Sequence, residues 1–118
     1  MKKMHFIFKN GEEKVNDEIV NYIENNGILS FDITDAKIKS LLSSDTLHFE
    51  RITEDYSFII DLENGNKKCE ILLKKEDITI NVNLLNLNYH YKENYAHIEY
   101  VIESDPDYVK TIEFMYWQ

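Results

Sequence analysis

Alternation of apolar and polar residues from Asp77 to Tyr91 is the feature that most constrains the fold of this chain. Its first half places apolar side chains at every second position, at Ile78, Ile80, Val82 and Leu84. An amphipathic helix would need apolar residues at steps of three and four, and this segment lacks that spacing. A period of two is typical of a β-strand with one buried face. The segment is therefore predicted to form one long strand.

The alternation slips by one residue at Leu84-Leu85 and then continues to Tyr91. A β-bulge inserts one extra residue while the apolar side chains stay on the same face. Bulges also let long strands bend around a closed sheet. We therefore expect a bulge at Leu84-Leu85 and a bent strand.

The next segment, from Ala96 to Ile102, alternates in the same way. A two-residue turn at Glu93-Asn94 would put the apolar side chains of both strands on one face. The register that follows pairs Tyr91 with Ala96, Tyr89 with Ile98 and Leu87 with Tyr100.

Turn residues divide the rest of the chain into further short strands. Asn10-Gly11, Asn26-Gly27 and Asn64-Gly65 predict hairpin turns, and Ser104-Asp105-Pro106-Asp107 predicts a turn by its composition. The expected strands are 4–9, 12–24, 28–32, 46–53, 56–62, 69–73 and 108–117. The segment from Asp35 to Ser43 fits either a strand or a short helix capped by Thr34 or Asp35.

About nine or ten strands with hairpin-length connections must pack as a sandwich or close into a barrel. Closure is favoured because it removes exposed sheet edges. The predicted fold is all-β, a single closed antiparallel β-barrel of about 8–10 strands. The length of 118 residues suits one domain over residues 1–118.

Charge and cysteine content exclude several classes of function. The chain has 22 Asp and Glu against 13 Lys and Arg, a formal charge of -9, which argues against binding of nucleic acid through phosphate contacts. A single cysteine, Cys69, excludes an internal disulfide and falls in phase with the core residues Ile71 and Leu73. No apolar run is long enough for a transmembrane helix, and the first ten residues do not form a secretion signal. A cytoplasmic protein without a membrane partner is expected.

From Thr46 onward the sequence resembles the YwiB-like family, small calycin-like barrel domains of unknown function from low-GC bacteria. The resemblance lies in 47–51 (LHFER), 56–62, the long strand to Tyr91, 98–102 (IEYVI) and 111–114 (TIEF). Arg51 matches an arginine that commonly ends the corresponding strand in that family. The family's following glycine is replaced by Ile52-Thr53, and its Gly-containing turn before the long strand by Lys74-Lys75-Glu76. The resemblance implies a barrel akin to lipocalins and fatty-acid-binding proteins, and it implies no reaction.

Arg51 is the first candidate for ligand binding. It lies in phase with Leu47 and Phe49, which predicts that its side chain points inward. A guanidinium offers a planar fork for a carboxylate or a phosphate. The sequence thus predicts a small amphipathic acid inside the barrel, held by Arg51 with Tyr89 or Tyr100. The alternative is structural: Arg51 pairs with an internal Asp or Glu, or extends to solvent at the strand end, and side chains fill the barrel.

The histidines give a second candidate site. In the register above, His90 lies opposite His97 on the outer face, with Glu99 as a diagonal neighbour. Two imidazoles and a carboxylate at this spacing could bind zinc or nickel, although surface histidines usually have no such role. His5 and His48 have no identifiable partner in the pattern.

Signatures of catalysis are missing from the sequence. It has no Gly-x-Ser-x-Gly, no glycine-rich phosphate loop and no calcium-loop ladder of acids. No enzymatic activity and no cofactor are expected. The alternative to ligand binding is a protein-interaction module that acts through its surface, as a homodimer or with a partner protein. Tyr116 and Trp117 are of the residue types that interfaces favour.

Overall fold

The computed structural model describes residues 2–117, except for the side chain of Trp117. Within that range the chain forms eleven β-strands and no helix. The strands are β1 Lys2–Asn10, β2 Glu13–Asn25, β3 Ile28–Asp32, β4 Lys37–Leu42, β5 Thr46–Ile52, β6 Tyr56–Glu63, β7 Asn66–Leu73, β8 Ile78–Asn81, β9 Leu84–Lys92, β10 Tyr95–Ile102 and β11 Asp105–Trp117. The all-β prediction is confirmed, with one strand more than the highest number predicted.

Hydrogen-bonded neighbours follow the order β8-β7-β6-β5-β4-β3-β2-β1-β11-β10-β9 in one sheet, and every pairing is antiparallel. The order is linear, and β8 and β9 each have one paired neighbour in the part of the chain described. The closed barrel expected from the sequence is therefore wrong. Closure was inferred because it would remove exposed edges, yet this sheet keeps two edge strands.

The chain divides into two compact units within β2. The terminal unit comprises Met1–Tyr22 and Asn83–Gln118, and the central unit comprises Ile23–Val82. The first part of β2 pairs with β1, and its last residues pair with β3. Each unit therefore has its own run of paired strands, and each is described by itself below.

The long strand predicted from Asp77 to Tyr91 is two strands. β8 pairs with β7 in the central unit, whereas β9 pairs with β10 in the terminal unit. Val82 and Asn83 separate them and make single hydrogen bonds to strand neighbours, from Val82 N to Cys69 O and from Glu103 N to Asn83 O. The slip in the alternation thus lies close to the point at which the chain leaves one unit for the other. The bulge expected at Leu84-Leu85 is confirmed, because Val101 pairs with Asn86 and Ile102 with Leu84, which leaves Leu85 as the extra residue of β9.

The predicted hairpin register is confirmed: Tyr91 pairs with Ala96, Tyr89 with Ile98 and Leu87 with Tyr100. The turns at Asn26-Gly27 and Asn64-Gly65 are also confirmed, whereas the turn expected at Asn10-Gly11 lies one residue later, at Gly11-Glu12, because Asn10 is the last residue of β1 and pairs with Glu13. At Asn64-Gly65 both residues have positive φ, 52° and 80°, which a two-residue hairpin of type I′ requires and which Asn and Gly tolerate best.

The structure decides one local prediction that was left open and corrects another. The segment from Asp35 to Ser43 contains β4 and no helix, so the strand alternative is confirmed. The turn expected at Ser104–Asp107 lies at Glu103-Ser104, and Pro106 belongs to β11. A proline is compatible with the beginning of a strand, where few ladder hydrogen bonds are lost.

Each unit has a buried sheet face with its own core. In the terminal unit the fully buried side chains include Met4, Phe6, Ile98, Ile112 and Phe114; in the central unit they include Ile38, Leu47, Phe49 and Ile60. Phe6 and Phe114 pack edge to face, with ring centroids 5.4 Å apart. Among residues 2–117 no helix is long and apolar enough to cross a membrane.

Candidate ligand-binding site

Arg51 lies within a row of otherwise apolar residues that crosses six strands of the central unit. The register from β3 to β8 aligns one residue on each of six strands, in order Phe31, Ile38, Arg51, Phe58, Ile71 and Ile80. We call this set the Arg51 row. The prediction that Arg51 shares a face with Leu47 and Phe49 agrees with this register, because residues at steps of two point to the same side of a strand.

The Arg51 guanidinium has two partners. Nη1 donates a hydrogen bond to the Tyr56 hydroxyl at 2.7 Å, and Nη2 donates to Asp35 Oδ2 at 2.7 Å. The Arg51 side chain is 20% exposed, whereas the Asp35 side chain, in the loop between β3 and β4, is 47% exposed. The carboxylate partner of this half-buried guanidinium therefore comes from the solvent side.

The third donor position of Arg51 is unmatched. Its Nε is buried and has no hydrogen-bond partner among the residues described. A buried donor without an acceptor costs about 1–3 kcal/mol. A carboxylate or phosphate oxygen has the right chemistry, since guanidinium groups bind such oxygens in pairs.

Burial falls along the Arg51 row towards the edge of the sheet. Phe31 and Ile38 are buried, Phe58 and Ile71 are half-buried, and Ile80 is 44% exposed. In the next row, Tyr56 and Leu73 are half-buried and Ile78 is 49% exposed. We call Phe58, Ile71, Leu73, Ile78 and Ile80 the apolar strip; it begins beside the guanidinium and ends at β8.

Sequence reasoning missed Asp35 and Tyr56 as partners of Arg51. Tyr56 follows the turn after Arg51, where Thr53 N donates to Tyr56 O and Thr53 Oγ1 accepts from Tyr56 N. This four-residue turn, which brings Tyr56 back towards Arg51, was a usable signal. Asp35 gave no comparable signal, because its segment fitted a helix cap as well as a loop. Arg51 does pair with an aspartate, as the structural alternative expected, but Asp35 lies in an exposed loop and is not the internal acid of that alternative.

Tyr89 and Tyr100, the other predicted ligand contacts, belong to the terminal unit. Tyr100 is buried and lies between Leu87 of β9 and Lys110 of β11, while Tyr89 is half-buried opposite Ile98. Their assignment to the same ligand as Arg51 stays a prediction.

A cluster of polar side chains occupies the outer face of the terminal unit. The Tyr95 hydroxyl donates to Glu113 Oε2 at 2.9 Å and lies 3.1 Å from His97 Nδ1. His97 Nε2 lies 3.1 Å from Glu99 Oε1. Burial and the hydrogen bond to the Glu113 carboxylate raise the pKa of Tyr95 to about 12. We call Tyr95, His97, Glu99 and Glu113 the Tyr95 cluster, and its members satisfy one another.

The predicted metal ligands lie on neighbouring strands of this face. His90 pairs with His97, as expected, and their ring centroids are 6.5 Å apart. Both ring nitrogens of His97, however, already have partners in the Tyr95 cluster. Among residues 2–117 no group of three or more His, Cys, Asp or Glu side chains is placed to hold a metal ion. The metal site at His90, His97 and Glu99 stays a prediction.

The other two histidines have carboxylate partners that the sequence pattern did not reveal. His48 Nδ1 lies 2.5 Å from Asp61 Oδ1, directly across β5 and β6, and His5 Nε2 contacts Asp17 Oδ1 across β1 and β2. The hydrogen bond from His5 is the largest influence that lowers the pKa of Asp17. The hairpin registers around these pairs could have predicted both contacts.

Cys69 lies in the core of the central unit, as predicted. It pairs with Ile60, it is 4% exposed, and burial raises the pKa of its thiol to about 12. A thiol in this environment is not a nucleophile at neutral pH.

Comparison with known proteins gave no match: no family model, no curated protein and no solved structure is significantly similar to this chain.

Proposed function

We propose that this protein is a non-enzymatic binding protein for a small amphipathic acid, held by Arg51 and the apolar strip of the central unit. The observation behind the proposal is the unmatched Arg51 Nε, buried within a row that is otherwise apolar. A ligand site of this kind combines apolar side chains with a few placed polar groups. A carboxylate or phosphate head group would supply the missing acceptor.

Asp35 marks the position that an anionic head group would take. It is loop-borne and half-exposed, so its carboxylate can leave Nη2 and return to water at little cost. A ligand carboxylate that bridged Nε and Nη2 would make two charge-assisted hydrogen bonds where one exists now. The Tyr56 hydroxyl would continue to accept from Nη1 and hold the guanidinium in place.

The hydrophobic part of the ligand would follow the apolar strip. From Arg51 to Ile80 the row crosses β6 and β7 and ends on β8, a span of about 14 Å at the usual strand spacing. An alkyl chain laid along Phe58 and Ile71 would cover the exposed side chain of Ile80. Burial of apolar area contributes about 25 cal/mol per Å², so this contact would supply much of the affinity.

A cytoplasmic location and membership of the YwiB-like family remain part of the proposal. Neither of these is needed for the chemistry at Arg51. The alternative is a non-enzymatic protein-interaction module whose interior is filled by side chains and which acts through its surface.

Native mass spectrometry of protein purified gently from cells, beside a denatured control, tests the proposal without prior choice of ligand. An extra mass that is lost on denaturation and corresponds to an organic acid is the expected result. A metal-sized increment would instead direct attention to His90 and His97. The bare mass of the chain, together with no binding of added dodecanoate, would contradict the proposal.

Titration with dodecanoate, with dodecanol as the uncharged analogue, tests the role of Arg51. Arg51→Ala is expected to weaken dodecanoate binding at least about tenfold, because two charge-assisted hydrogen bonds are lost. Arg51→Lys keeps the charge and loses the planar fork, so it should also weaken binding. Lys39→Ala, which removes an exposed cation opposite Glu50, is the matched control and should leave binding unchanged.

The stability of the variants separates the two roles of Arg51. If Arg51→Ala unfolds the protein and folded Arg51→Lys binds dodecanoate like wild type, Arg51 is structural and the proposal fails. Equal affinities for dodecanoate and dodecanol would also contradict it, because the head group would then make no contribution.

A further inference from the structure

β9 is an exposed edge strand. In the part of the chain described it pairs with β10 alone. Six of its nine residues are exposed, whereas none of the eight residues of β10 is. An edge of this kind presents a row of backbone N–H and C=O groups on which another strand can pair.

The two edge strands of the sheet differ in how they are protected. Natural proteins limit unwanted pairing with short edge strands, charged side chains or proline. β8 has only four residues, which limits what it can pair with. β9 has nine residues, no proline and one charged side chain, Lys92 at its end. β9 is therefore the edge that is open to pairing.

The hairpin to β10 determines which backbone groups face the open edge. A two-residue turn at Glu93-Asn94 makes Lys92 and Tyr95 the first hydrogen-bonded pair. In an antiparallel pair such positions alternate with positions whose N–H and C=O point away. The backbone groups of Leu87, Tyr89 and Tyr91 consequently point towards the open edge.

We propose that two copies of this chain pair through β9 as an antiparallel, two-fold symmetric dimer centred on Asn88. Asn88 is the middle residue of the strand, so this register pairs its whole length. It places Leu87 opposite Tyr89 of the second copy and His90 opposite Asn86. Between Leu85 and Tyr91, apolar side chains then meet apolar ones, because the offset preserves the side-chain period of two. A symmetric interface of this type is self-complementary and closed.

Charge favours the same register. The two Lys92 side chains lie at opposite ends of the paired strands, each opposite Leu84 of the other copy. No like charges face each other along the ladder, which is the arrangement that strand pairing requires. This inference concerns the terminal unit and does not depend on ligand binding at Arg51.

Sedimentation analysis over protein concentrations from about 10 μM to about 1 mM tests for the dimer, since an interface of one strand pair is small and weak. The weight-average mass should rise with concentration from the 14.1 kDa monomer towards twice that value and no further. A mass that stays at 14.1 kDa at the highest concentration, or that rises beyond the dimer, would overturn the proposal.

Two matched double variants test which edge is used. Asn86→Lys with Asn88→Lys adds cations to β9, and Thr79→Lys with Asn81→Lys adds the same cations to β8. Asn88 faces Glu99 and Asn81 faces Glu70, so each edge offers an acidic neighbour to one added lysine. The β9 variant should weaken self-association about tenfold or more, and the β8 variant should behave like wild type. Equal self-association of the two variants would overturn the proposal.

Cross-linking tests the register. At a two-fold centre, the two Asn88→Cys residues would have Cα atoms about 4.5 Å apart, within disulfide range, and oxidation should give a covalent dimer. Asn86→Cys is the control, because the two cysteines would then be offset by about 13 Å along the strands. Cys69 is buried and should not compete. Cross-linking of both variants to the same extent would contradict the Asn88-centred register.

Discussion

Among the residues described, each unit has one cationic side chain on its buried face. The two side chains differ in whether all their nitrogen atoms have partners. Lys110 in the terminal unit is 7% exposed and contacts Asp105, and its Nζ also lies 5.9 Å from the centroid of the Tyr108 ring. Arg51 in the central unit contacts Asp35 and Tyr56 but keeps an unmatched Nε. Both carboxylate partners are half-exposed, so the aspartates alone do not make the difference.

The comparison indicates how a structural cation differs from one that is available to a ligand. The partners of Lys110, Asp105 and the backbone oxygen of Tyr108, both lie on its own strand, β11. The partners of Arg51 lie on a loop and on the next strand, and the apolar strip beside it is open. The proposed binding site therefore rests on an unmatched donor beside exposed apolar side chains, and not on a buried charge alone.

Reactivity of Cys69 gives the largest expected effect. Cys69 lies in the row of paired residues next to the Arg51 row. The reactivity of its thiol therefore shows whether solvent access is confined to the apolar strip. Because the thiol pKa is raised from 9.0 to about 12, alkylation near pH 8 should be about a thousandfold slower in the folded protein than in urea. Mass spectrometry of iodoacetamide-treated samples measures the two rates. Rates within tenfold of each other would mean that the row containing Cys69 is accessible to solvent as well.

Removal of each aspartate tests the comparison directly. Asp105→Asn leaves the buried Lys110 without its carboxylate and should lower the free energy of unfolding by about 1–2 kcal/mol. Asp35→Asn should cost less than about 1 kcal/mol, because Arg51 is more exposed and keeps Tyr56. Urea unfolding of both variants measures the difference. A larger loss for Asp35→Asn would show that Arg51, and not Lys110, is the structural cation.

The Tyr95 cluster serves as a reference for a fully satisfied polar group. Tyr95→Phe should destabilise the fold by about 1 kcal/mol at neutral pH, because Glu113 loses its donor. The raised pKa means that this contribution is complete below about pH 10, where the unfolded tyrosine is still protonated, and is lost as the pH rises towards about 12. Absorbance titration should show one late-ionising phenol fewer in the variant than in wild type.

Much of the fold could be predicted because local pattern and register agree. The β9–β10 hairpin follows from alternation and a two-residue turn, and Asn64-Gly65 fixes its hairpin through the left-handed conformations that Asn and Gly adopt. The split of the segment from Asp77 to Tyr91 could not be predicted. Alternation of apolar and polar residues is the same whether a segment pairs within one run of strands or is divided between two. Closure likewise depends on long-range pairing that no local pattern encodes.

The candidate site was predictable only in part. The inward phase of Arg51 follows from its spacing to Phe49, and the register supports it. Its partner Asp35 lies in a loop, where side-chain direction depends on the backbone path rather than on periodicity. The Glu113 partner of Tyr95 depends on the register between β10 and β11. That register could not be predicted, because composition placed the turn at Ser104–Asp107 and the structure has it at Glu103-Ser104.

Affinity for dodecanoate in the Asp35→Asn variant tests the central claim most directly. If a ligand carboxylate exchanges with Asp35 on the Arg51 guanidinium, removal of the competing carboxylate should tighten binding about threefold to tenfold. Asp32→Asn, an exposed carboxylate at the end of β3, removes the same charge without contacting Arg51 and should change the affinity much less. Calorimetric titration of wild type and both variants gives the comparison. Unchanged or weaker binding in Asp35→Asn, or equal effects of the two substitutions, would contradict a ligand site at Arg51.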